Sequence, residues 1–182
     1  MDDESLGCGG LLAKYADECQ VVVLADSGPV RRAEHEKALA ILGVASSTCL
    51  GFADGRLAND SVAVVTALDR FLCEAQPDEV YLPFPSLHQD HIATYEAGMR
   101  ASRVSMTEGH WFPRGVYIYD IAAYDVNLYP TDLRWNVFES LTEDHIDRKA
   151  AACQAYESEF PSGIHPIKSV KEIAGAIGNM RL

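Results

Sequence analysis

Residues 80–91 read Val80-Tyr81-Leu82-Pro83-Phe84-Pro85-Ser86-Leu87-His88-Gln89-Asp90-His91. The first three form a short apolar run, introduced by the turn-forming pair Pro77-Asp78, and residues 92–102 show helical spacing. A buried strand therefore passes, through a loop carrying two prolines and two histidines, into a helix. In open α/β sheets ligand sites form at such strand-to-helix junctions.

The same alternation recurs outward from this segment. Val21-Val22-Val23-Leu24-Ala25 is a continuous apolar run that suits a strand covered on both faces of a parallel sheet. Residues 31–42 read as a helix with Gly43 as its stop, and residues 61–75 as another. Val116-Tyr117-Ile118-Tyr119 is β-branched and aromatic, hence a strand, and Val137-Phe138 is expected to be a further short one. Residues 142–156 read as a helix with Thr142 as N-cap and Glu143 and Asp144 in its first turn. Leu6, Leu11, Leu12 and Tyr15 recur at helical spacing before the first strand. Strand–helix alternation predicts an α/β fold with a mostly parallel sheet. No repeat, low-complexity tract or linker interrupts the 182 residues, so a single domain over 1–182 is expected.

Twenty-seven acidic residues against fifteen Lys plus Arg leave a net charge of −12. That argues against a nucleic-acid partner, whose phosphates are met by clustered cations. No apolar run approaches the roughly 20 residues a membrane span needs. The start carries no basic-then-apolar signal, so a cytoplasmic location is expected. Cys8, Cys19, Cys49, Cys73 and Cys153 are scattered, without a CxxC pair, and read as reduced structural thiols.

Two clusters carry chemistry. Met1-Asp2-Asp3-Glu4-Ser5-Leu6-Gly7-Cys8-Gly9-Gly10 opens the first helix. Adjacent carboxylates there gain from the helix dipole whatever else they do. The three glycines weaken the helix by ~1 kcal/mol each relative to Ala, which points to close approach of another backbone or a ligand. In the second cluster, His88 and His91 bracket Asp90, which can supply a metal ligand, a second imidazole and an orienting carboxylate. The alternative for Asp90 is to cap the following helix. His35, His110, His145 and His165 lie outside both clusters and read as solvated or structural. Trp111 and Trp135 suit either a core or the lining of a sugar cleft.

Asp2-Asp3-Glu4 with Gly7-Cys8-Gly9-Gly10 resembles the second half of the His-Pro-Asp-Asp-Glu…Gly-x-Gly-Gly signature of LmbE-like (PIG-L-type) N-acetylglucosaminyl deacetylases, and His88-Gln89-Asp90-His91 their His-x-Asp-His motif. Arg31, Glu34, Ala38, Leu42 and Gly43 are similar to an Arg-x-x-Glu helix ending in Leu-Gly, and 51–57 to a loop with an Asp-Gly core. Tyr124-Asp125-Val126, and Arg148-Lys149-Ala150-Ala151 with Tyr156 and Ser158, extend the resemblance over nearly the whole chain.

The resemblance implies a Rossmann-like three-layer fold and a zinc-dependent hydrolase that removes acetyl from an N-acetylated amino sugar. It implies Asp3 and His91 as metal ligands and Asp2 as general base. His88 becomes the oxyanion stabiliser or general acid, and Asp90 the residue that orients it. Arg31 and Asp54 fall at sugar-contacting positions. The partner implied is a small-molecule N-acetylated sugar, and self-association is compatible with it. The family's signature also implies a His-Pro before Asp2 and a strand before that. Met1 stands where the Pro would, and the His has no counterpart. The chain is thus expected to be truncated at its N-terminus, lacking the first strand, and Arg181-Leu182 falls where the family's closing segment would follow. The alternative expectation is a catalytically impaired, sugar-binding homologue. A nucleotide-binding reading is disfavoured, because Gly7-Cys8-Gly9-Gly10 sits inside a helix pattern and no Gly-Lys-Ser/Thr occurs.

Overall fold

The structure, a computed structural model, describes residues 1–121, 135–159 and 166–179. Among them are six α-helices and four strands. Among the described residues, 1–23, 27–48, 135–159 and 166–179 pack as one compact unit, and 24–26 and 49–121 as another. The strands β1 (Gln20–Asp26) and β2 (Ser46–Ala53) are neighbours in a two-stranded sheet.

The first unit is helical around a small apolar core. Helix α1 (Asp3–Lys14) packs on α5 (Glu143–Gln154), which also meets α2 (Pro29–Leu42) and α6 (Pro166–Asn179). Leu12, Val21, Leu39, Leu42, Ala152 and Tyr156 are buried in this core; full burial of a leucine stabilises by roughly 1.5–3 kcal/mol. Two of the glycines of α1 sit against α5 and the segment just before it. A Cβ on Gly9 would stand 2.8 Å from Lys149 Cγ, and one on Gly10 would overlap Leu141. Close approach was expected there, and it comes from side chains rather than from a backbone.

Arg148 explains how three helices lock. Its guanidinium donates to Ala13 O at 3.0 Å and Ile41 O at 3.1 Å, and also to Leu42 O, near the C-terminal ends of α1 and α2. Those carbonyls have no partner within their own helices, and a cation there also favours the dipole. Gly43 ends α2 in the left-handed conformation at φ 82°, as its position predicts. Thr142 caps α5 reciprocally: its Oγ1 accepts from His145 N–H, and its own N–H donates to His145 Nδ1, both at 3.3 Å.

The second unit contains a parallel β-α-β arrangement. Strand β3 (Glu79–Pro83) pairs with β4 (Gly115–Tyr119) from Glu79↔Gly115 to Pro83↔Tyr119, and α4 (Gln89–Ala101) lies between them in the chain. Parallel neighbours need such a long crossover. Helix α3 (Ser61–Ala75) packs on α4 and buries Val64, Leu68 and Leu72, and a 3-10 turn (Leu57–Asp60) precedes it. Gly98 lets α4 close on β3, since a Cβ there would stand 3.0 Å from Leu82 Cγ.

Three expectations need correcting. Val137 and Phe138 form no strand; both are exposed in an irregular segment, with too short an apolar run to be covered. Residues 51–53, read as loop, belong to β2, whose polar residues and Gly51 hide the strand pattern. The cap of α4 is His88, because the helix starts one residue before Asp90. Tyr124-Asp125-Val126 and His165 lie outside the described residues.

Candidate active site

The predicted site residues fall into two sets, one in each unit. In the first, Asp2 occupies the cap position of α1 at φ 119°, a conformation L-residues rarely adopt. Its carbonyl accepts from Ser5 and Leu6 N–H, both at 2.9 Å, and its N–H donates to Glu4 Oε2 at 3.0 Å. Its carboxylate meets Arg31 Nη1 at 3.1 Å. Burial first, and the neighbouring Asp3 charge second, push the Asp2 carboxyl up to about 7. Asp3 is the first residue of α1 and half-buried.

Arg31 is engaged by acids: Asp2, Glu34 Oε2 at 3.5 Å, and Glu159. Its guanidinium is thereby fixed in place. Ser158 joins the same edge, donating its N–H and hydroxyl to Glu34 at 2.7 and 2.6 Å.

A polar network missed in the sequence lies behind this set. Glu4 Oε1 accepts from Tyr156 OH at 2.6 Å and lies 3.0 Å from His35 Nδ1. His35 Nδ1 is 3.1 Å from the same hydroxyl, and its Nε2 is 2.9 Å from Ser47 Oγ. Burial opposes ionised Glu4, but the His35 hydrogen bond, the nearby positive charges and the Tyr156 hydroxyl hold it down at about 2. Burial and Glu4 raise the Tyr156 phenol. His35, read as solvated or structural, is 4 % exposed, and only its position on the inner face of α2 could have signalled this.

The second set surrounds the start of α4. Exposed His88 caps the helix, its Nδ1 accepting from Asp90 N–H at 3.3 Å. His91 is buried, with Nδ1 2.6 Å from Ser86 Oγ, and the two imidazole centroids are 4.8 Å apart. The Asp90 carboxylate accepts from Gly55 N–H at 2.7 Å and Leu57 N–H at 3.3 Å. Gln89 adds a bond to Gly55 O at 2.7 Å. The Asp90 carboxylate thus anchors the loop that carries exposed Asp54, while its contact with His88 runs through the backbone.

Residues 1–102 match the sequence profile of the family described as PIG-L, GlcNAc-PI de-N-acetylase, which is more than half of the chain. The chain belongs to the PIG-L family. This PIG-L chain is 29 % identical over 172 residues to "Uncharacterized deacetylase YaiS" of Escherichia coli, with 86 % of each chain covered. It superposes on a conserved protein of Thermus thermophilus with a TM-score of 0.77 and 28 % identity, over 98 % of this chain and 84 % of that one. N,N'-diacetylchitobiose deacetylase of Pyrococcus horikoshii matches in fold, with a TM-score of 0.69 at 24 % identity over 88 % and 68 %. The PIG-L chain accordingly has the mixed α/β, Rossmann-like fold expected of it. Its matched segment includes every predicted site residue: Asp2, Asp3, Arg31, Asp54, His88, Asp90 and His91.

Proposed function

We propose that this chain is a metal-dependent N-deacetylase acting on an N-acetylated amino sugar. One observation carries the reading: the PIG-L match spans both the acid pair and the His-Gln-Asp-His tetrad. Asp3 and His91 would hold the metal. Their donors fit zinc in kind, a carboxylate oxygen and an imidazole nitrogen. The Ser86 hydroxyl at His91 Nδ1 supports this, since such a bond orients the ring and assigns coordination to the other nitrogen. Zinc, when bound, supplies Lewis acidity at the amide carbonyl and a more acidic attacking water.

Asp2 would act as general base, taking a proton from the attacking water on its carboxylate. His88, solvent-facing and positioned by the Asp90 N–H, donates to the oxyanion or to the departing amine, otherwise a poor leaving group. Arg31 and Asp54 meet sugar hydroxyls. The cytoplasm is the proposed location, where five unpaired thiols stay reduced. Among the described residues no helix is long and apolar enough to cross a membrane.

The test combines elemental analysis with an acetate-release assay on N-acetylglucosamine conjugates. Asp3→Ala and His91→Ala are expected to lose zinc. Asp2→Asn should keep zinc while turnover drops roughly 100-fold or more. Undiminished turnover in Asp2→Asn would remove the role given to Asp2. Sugar binding with neither zinc nor turnover would replace the enzyme by the impaired, sugar-binding reading.

A further inference from the structure

We propose a second metal site, sharing no residue with Asp3 and His91, built from Asp69, Cys73 and His110. Asp69 and Cys73 lie four residues apart on α3, so they share one face of the helix. His110 returns to them from the segment before β4. A turn closed by His110 N–H to Thr107 O at 3.2 Å, with Gly109 at φ 76°, sets its backbone. One donor atom from each of the three residues lies within 4.8 Å of the other two. Zinc bonds of about 2.0–2.3 Å in tetrahedral array put donors roughly 3.3–3.8 Å apart, so small side-chain adjustments suffice.

The imidazole of this cluster is held in place by burial. The His110 side chain is only 10 % exposed, and its Nδ1 is buried with no hydrogen-bond partner among the described residues. Buried polar atoms ordinarily find a partner. The other ring nitrogen, Nε2, meets Asp69 Oδ1 at 3.2 Å, and Arg103 Nη1 approaches the same oxygen at 3.4 Å. Both contacts fall on Oδ1. A purely structural Asp69–His110–Arg103 network would account for those bonds, but it gives no part to the Cys73 thiol that faces the same two side chains.

The donor set selects the ion. One thiolate, one imidazole and one carboxylate suit a borderline-soft divalent metal such as zinc, with a fourth position open to water. An ion there would tie the 102–114 segment to α3.

Cobalt(II), a spectroscopic stand-in for zinc, provides the test on the full chain after chelation of endogenous metal. A thiolate ligand gives an intense sulfur-to-cobalt charge-transfer band, which a site made of Asp3 and His91 cannot give. The expected result is a band saturating near one equivalent, competed away by zinc. It should vanish in Cys73→Ser and persist in Cys49→Ser and Asp3→Ala. In His110→Ala, cobalt affinity should fall roughly tenfold or more. Zinc should also slow alkylation of Cys73 in the wild-type chain. Absence of the band from the wild-type chain overturns the proposal, whatever the variants do, and so does a band that survives Cys73→Ser.

Discussion

At Glu4 one carboxylate oxygen accepts from Tyr156 and lies within hydrogen-bond distance of His35, so α1, α2 and the segment after α5 meet in one polar knot behind Asp2 and Asp3. Such groups stabilise when satisfied and cost heavily when one partner is removed. Tyr156→Phe keeps the ring and removes only the hydroxyl. It is expected to lower stability by about 1–3 kcal/mol in chemical denaturation. Combined with Glu4→Gln it should lose less than the two single changes added together, because both act in one network. Additive losses would show that the network is not coupled. The sequence exposed Glu4 through its place in a motif. It concealed His35 and Tyr156, because their partners lie 31 and 152 residues from them along the chain.

Among the elements, those with strong local signals were readable. The run at 21–25, the helix at 61–75 and the Thr142 cap carry their information in neighbouring residues, and each appears where its pattern places it. β2 was not readable, because its side chains alternate between exposed and half-buried and never form an apolar run. Nor was α6 foreseen. Glycine shows how packing sets the sign of a local preference. Gly98→Ala should gain ~1 kcal/mol of helix propensity, but it overpacks buried Leu82, and overpacking costs about 1–3 kcal/mol. A net loss of stability is expected. Gly175→Ala in α6 meets nothing within 4 Å and should gain ~1 kcal/mol. Thermal melts of the two variants shifting in the same direction would contradict this account.

For the whole molecule, the net charge of −12 sets the electrostatic background. Like charges repel one another through solvent, and salt screens that repulsion beyond a Debye length of ≈ 8 Å at physiological ionic strength. The melting temperature is therefore expected to rise by a few degrees between low salt and about 0.5 M sodium chloride. A fall would mean that favourable ion pairs, such as Arg31 with Asp2, outweigh the repulsion. The same excess of acid fits a small-molecule substrate better than a polyanionic one.

By itself the amino-acid sequence determined the α/β class, most helix and strand positions, and the family, since these follow from short-range periodicity and from motifs contiguous in the chain. Tertiary structure alone decided what each side chain meets: Asp90 on the backbone of 55–57, Ser86 on His91, Arg31 among acids, and His110 beside Asp69. The physical reason is that hydrogen bonds and burial join residues far apart in the chain, and that pairing exists only once the backbone has closed around them.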